Sequence, residues 1–168
     1  VRLRFIALRK PVRVDDVSIE RTTRPAVAAW ADGVYATLPP LHYTPAAGRW
    51  AQLPKTMARL RSGPALRVVL LGDSIANDTS HSAFDVLLER AWPACRVEVV
   101  NSVRGGTGCR FYQDQCRVEP YVLHFKPDLL VVAGISHGYD VQAIRSVIRQ
   151  VRAKSDCEVM VMTGAVCP

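Results

Sequence analysis

The sequence predicts an α/β domain: a parallel sheet covered by helices on both faces, preceded by a short β segment. Three observations predict it. Short, continuous apolar runs recur along the chain. Amphipathic stretches with helical spacing separate them. Loops carrying glycine and serine follow the runs. Runs of this kind, apolar throughout rather than alternating, suit strands buried on both faces of a parallel sheet.

Taken in order, Val1, Leu3 and Phe5 alternate with Arg2 and Arg4, and Lys10-Pro11 punctuates the segment before Val12, Val14, Val17 and Ile19. Period-two patterning makes residues 1–20 a pair of strands. Residues 21–49 show no clean period. Pro25, Pro39, Pro40, Pro45 and Gly48 interrupt them, so a connecting segment wrapping a neighbour is expected. Trp50, Leu53, Met57 and Leu60 follow helical spacing, and Ser62-Gly63-Pro64 stops the helix. Residues 67–71 form the first apolar strand. Phe84, Leu87, Leu88 and Ala91 give a helix face, and residues 97–100 a second strand. Residues 128–133 form a third, entered through Lys126-Pro127. Val141, Ile144, Ile148 and Val151 mark another helix, with Arg145, Arg149 and Arg152 outward, and residues 158–162 a fourth strand. Residues 50–168 therefore form the main domain. No repeat or low-complexity tract occurs.

Composition narrows the classes of function. The 168 residues are 49% hydrophobic and 22% charged, ordinary values for one globular domain. No apolar run approaches the roughly 20 residues a membrane helix needs. The net charge of +7 is spread along the chain without a block of like charge, which reads as an Arg-rich solvated surface and not as a nucleic-acid interface. Five cysteines include no Cys-x-x-Cys, and none has zinc-ligand spacing. Cys109 and Cys116 flank a short loop, where either a disulfide or unpaired packing thiols fit. Both chain ends look cut, and a sheet stopped after its fourth strand would expose apolar surface and self-associate.

Ligands in open parallel sheets bind beyond the carboxyl ends of the strands, so the chemistry is sought in the three loops there. The first is Gly72-Asp73-Ser74-Ile75-Ala76-Asn77-Asp78. A serine at a strand tip presents its hydroxyl to solvent, and its N–H can support a developing oxyanion. The second is Asn101-Ser102-Val103-Arg104-Gly105-Gly106-Thr107-Gly108. It can donate backbone N–H groups, but lacks the Lys-Ser/Thr ending of a phosphate-binding loop. The third is Gly134-Ile135-Ser136-His137-Gly138. Any of the three can be read as a plain turn.

Together, in this order, the loops resemble blocks I, II and III of the SGNH (GDSL-type) hydrolases over residues 50–168. The resemblance implies a three-layer α/β/α fold of flavodoxin-like type and a serine ester hydrolase acting on a carbohydrate or lipid acyl ester, with no metal or organic cofactor. It makes Ser74 the nucleophile and Gly106, with Gly105 one residue away, an oxyanion donor. Ser136 falls where the family has asparagine and His137 where it has aspartate. Ser136 takes over as donor, or His137 does, or the site is weakened. Asp73, Gly105 and His137 join the substrate-binding set. The family's Asp-x-x-His, which supplies the general base, does not occur. His42, His81 and His124 read as surface or packing residues, with His81 starting a helix. A non-catalytic, SGNH-like binding or structural piece is therefore the alternative. Residues 12–19 resemble the closing strands of jelly-roll carbohydrate-binding modules. An edge hairpin fits as well; the module would favour a glycan substrate and a secreted location.

Overall fold

A computed structural model describes residues 21–40, 42, 44–134 and 140–162. The N-terminal strand pair expected over residues 1–20 lies outside them, as do Ser136 and His137. Four strands, β1 (Ala65–Gly72), β2 (Arg96–Val103), β3 (Leu129–Val132) and β4 (Glu158–Val161), pair in parallel in the order β2-β1-β3-β4. Seven α-helices are described: α1 (Arg24–Ala36), α2 (Pro54–Ser62), α3 (Ser74–Ser80), α4 (Phe84–Ala91), α5 (Cys109–Tyr112), α6 (Val118–Tyr121) and α7 (Val141–Arg152). No helix among the described residues is long and apolar enough to cross a membrane.

The alternation of side chains along a strand divides the core in two. Val69 and Leu71 of β1, with Leu130 and Val132 of β3, face a layer holding Tyr112, Val118, Val147 and Val151. Leu66, Val68 and Leu70, with Leu129 and Val131, face the opposite layer with Met57, Leu60 and Ala76. The result is the three-layer α/β arrangement the sequence predicts. Arg145, Arg149 and Arg152 are exposed on α7, as its periodicity requires.

The structure corrects the reading in three places. The expected connecting segment 21–49 contains α1, capped by the Thr23 hydroxyl and with Pro25 in its first turn, where a missing N–H costs nothing. Its buried residues are alanines, Ala28 and Ala31, while its large apolar side chains face outward, so no apolar stripe marks it. Arg24 bonds Asp85 and Glu89, and Arg90 forks onto Asp32 at 2.6 and 3.0 Å, strapping α1 across α4. Secondly, β2 runs on through Asn101-Ser102-Val103, leaving only residues 104–108 as loop. Thirdly, His81 ends α3 instead of starting a helix. Of the two states open to Cys109 and Cys116, the structure shows no disulfide between them; Cys109 is buried in α5 and Cys116 exposed. Burial, with the nearby Asp140 charge adding to it, pushes the Cys109 thiol up to about 12.

Candidate functional site

β1 is a central strand, with β2 on one side and β3 on the other. The chain thus leaves β1 in one direction and later returns to the other side, the switch point at which open α/β sheets form a crevice. Gly72 pairs in register with Val103, and Leu71 with Val132, so the loops after β1, β2 and β3 emerge side by side at one edge.

Ser74 is the first residue of α3 and is exposed. No described group hydrogen-bonds its hydroxyl. Asp73, the helix N-cap, is 1% exposed, and its Oδ1 accepts the Ile75 N–H at 2.9 Å. Asp73, expected in the substrate-binding set, places its carboxylate at the helix start, where it fixes the turn that presents Ser74. The first N–H groups of a helix lack intrahelical partners, so the Ser74 N–H is not used by α3 itself.

The walls of this junction are backbone against backbone. A Cβ on Gly72 would stand 1.8 Å from the Ala133 carbonyl oxygen. Gly134 has φ +118°, and a Cβ there would stand 2.5 Å from Asp73 Oδ1. Only glycine fits either position. Gly134 therefore lets β3 end directly against the carboxylate that caps α3.

On the β2 side, Gly105 and Gly106 form an exposed turn, and Gly106 has φ +67°. The Thr107 hydroxyl closes the turn by donating to the Arg104 carbonyl at 2.7 Å, and the Arg104 N–H continues the ladder to the Gly72 carbonyl at 3.0 Å. That same carbonyl accepts the hydroxyl of fully buried Tyr112 at 2.5 Å. Burial pushes the Tyr112 phenol up, so it stays a donor across the neutral range. Asn101 of β2 reaches Asn77 Oδ1 and Ser80 Oγ of α3 at 2.8 and 3.1 Å, fixing the helix over the sheet. Beyond the third loop, Asp140 caps α7 through the Ala143 N–H at 3.0 Å and pairs with Arg110 of α5. The Arg110 hydrogen bond holds its carboxyl below the usual range.

The structure brings Ser74, Asp73, Gly105 and Gly106 to one edge. Sequence reasoning missed Tyr112, Asn101 and the Arg110–Asp140 pair. Only Tyr112 left a signal, an aromatic residue bearing a hydroxyl just after the glycine loop, since such a group finds a partner when buried. His42 lies in a loop, His81 sits at the far end of α3, and His124 precedes β3 at the opposite edge of the sheet. Neither His81 nor His124 stands beside Ser74.

No protein-family model matches the chain, and no curated protein matches it in sequence. Among solved structures it is similar to a two-domain esterase active on acetylated mannans, with a TM-score of 0.54 and 21% identity over 67% of this chain and 33% of that one. The same esterase crystallised with mannopentaose gives a TM-score of 0.49 and 21% identity, over 67% of this chain and 34% of that one. This chain spans about a third of that esterase's length. At this identity the likeness is one of fold.

Proposed function

We propose that this chain carries the nucleophile end of a serine esterase of the SGNH type, acting on an acylated carbohydrate. One observation carries the reading. An exposed serine heads a helix at the carboxyl end of a central strand, with its N-cap carboxylate buried and a positive-φ glycine turn on the neighbouring strand. The three loops resembling SGNH blocks support it. So does the likeness to a fold neighbour that acts on acetylated mannans, which favours an acetyl group on a glycan as the ester.

In this reading the Ser74 hydroxyl attacks the acyl carbonyl. The Ser74 and Gly106 N–H groups receive the oxyanion, and Ser136 adds a third donor. Each such donor contributes about 10²–10³ in rate. The Ser74 proton passes to a base and then to the departing sugar hydroxyl. Water, losing a proton to the same base, releases the acyl group and restores Ser74. A serine hydroxyl needs such a base near neutral pH. His137, or a histidine supplied from outside this sequence, fills that role. Asp73 acts as a positioning residue, and no cofactor enters.

The test is acetate release from acetylated manno-oligosaccharide and from 4-nitrophenyl acetate by the protein carrying this chain. Ser74→Ala lowers kcat/KM by about 10³-fold or more. Undiminished turnover in that variant rejects the reading. The second reading, a non-catalytic binding piece, draws on the separation of His81 and His124 from Ser74. It predicts no Ser74-dependent hydrolysis.

A further inference from the structure

A second polar feature runs along α3. Ser74, Asn77, Asp78 and His81 recur at i, i+3, i+4 and i+7, so they share one helix face. All four are polar and at least partly exposed. The stripe runs about 10 Å from Ser74 to His81. It ends at a groove of about 260 Å³ between α3 and α1. Trp30, Val34 and Tyr35 of α1 form one wall, and Asp78, His81 and Ser82 the other.

The aromatic wall is solvent-facing. Trp30 is 61% exposed and Tyr35 44%. An indole in water at the rim of a groove is unusual for a side chain whose burial would be favourable, and such patches mark interaction sites. The wall is also rigid. The Tyr35 hydroxyl donates to the Ser82 carbonyl at 3.0 Å, and the Arg24 and Asp32 ion pairs hold α1 on α4. Flat aromatic faces opposite a carboxylate, an imidazole and a hydroxyl match a pyranose ring, which offers C–H groups on its faces and hydroxyls on its edge. A purely apolar partner would leave the Asp78 and His81 side unpaired.

We propose that this groove is a distal sugar subsite. A glycan chain lies along α3, with its ester at Ser74, hydroxyls hydrogen-bonded to Asn77, Asp78 and His81, and a further ring stacked on Trp30 and Tyr35. The proposal rests on the esterase reading for its orientation and names the substrate as a polymer or oligosaccharide longer than one sugar.

The test uses the protein carrying this chain, in wild-type, Trp30→Ala, Trp30→Phe and Ser74→Ala forms. Its probes are acetylated manno-oligosaccharide, acetylated xylo-oligosaccharide and 4-nitrophenyl acetate. Trp30→Ala lowers the ratio of kcat/KM for an oligosaccharide over that for 4-nitrophenyl acetate by about tenfold, through KM, and Trp30→Phe restores most of it. Calorimetric titration of the Ser74→Ala protein shows oligosaccharide binding, weakened by a similar factor when Trp30→Ala is added. An unchanged ratio and unchanged binding overturn the subsite. So does a change in sedimentation mass in Trp30→Ala, which would make the groove a protein interface. Loss of binding in Trp30→Ala alongside full hydrolysis in Ser74→Ala would leave the subsite standing and remove Ser74 as nucleophile.

Discussion

The two edges of the sheet are built differently. At the amino edge, charged side chains staple elements far apart in sequence. Asp128 accepts the Arg67 N–H at 2.8 Å and pairs with Arg59 at 2.9 Å. Glu158 accepts the Lys55 and Thr56 N–H groups at 2.8 and 2.7 Å, so a carboxylate on β4 caps the N-terminus of α2, which has no side-chain cap of its own. Arg67 pairs with Glu98 across β1 and β2 at 3.0 Å. At the carboxyl edge the joints are glycines, carbonyls, the neutral Tyr112 hydroxyl and the buried Asp73 carboxylate, and Ser74 stands exposed between them. The contrast separates two tasks. Charge closes the end that only has to hold together. Close backbone packing shapes the end where a polar reaction needs a defined surface.

Substitutions at each edge sharpen this contrast. The largest effect falls on the carboxyl edge. Gly134→Ala must relieve a contact of 2.5 Å to Asp73 and a positive φ, and costs about 2–4 kcal/mol in denaturant unfolding. Next comes the amino edge. Asp128→Ala orphans the Arg67 N–H and costs about 1–3 kcal/mol by the same measurement, while hydrolysis by the folded protein is retained. Tyr112→Phe removes one buried donor and costs about 1 kcal/mol.

The smallest effect is a dependence on pH. Burial raises the Glu158 carboxyl, but the hydrogen bonds from Thr56 and Lys55 outweigh it, and the net shift is downward. A lowered folded pKa stabilises the fold above the usual glutamate value of about 4.3, and the contribution fades as pH falls through the lower folded value. Thermal melts of wild type should lose that increment on acidification below about pH 4. Glu158→Gln should lack it at every pH, at a cost near 1 kcal/mol at neutrality.

Much of the sheet was legible because its strands are buried on both faces and so read as apolar runs. The four strands lie where those runs predict them, with β2 three residues longer at its end. Helix α1 was not legible, because it buries alanines and turns Trp30, Val34 and Tyr35 outward. The staples at the amino edge join residues 31 to 103 positions apart, a distance over which sequence pattern carries no pairing signal. At the site, Ser74 and the positive-φ Gly106 were legible as a strand-tip serine and a glycine-rich turn. The close approach that makes Gly134 obligatory and the Tyr112 bond to Gly72 depend on three strands meeting, and emerge only in the fold.

The most direct test of the central claim is covalent labelling with a fluorophosphonate, followed by peptide mapping of the protein carrying this chain. An activated nucleophile at the carboxyl edge predicts modification at Ser74 and none in the Ser74→Ala protein. A protein left unmodified at Ser74, or labelled equally in the Ser74→Ala variant, would contradict it.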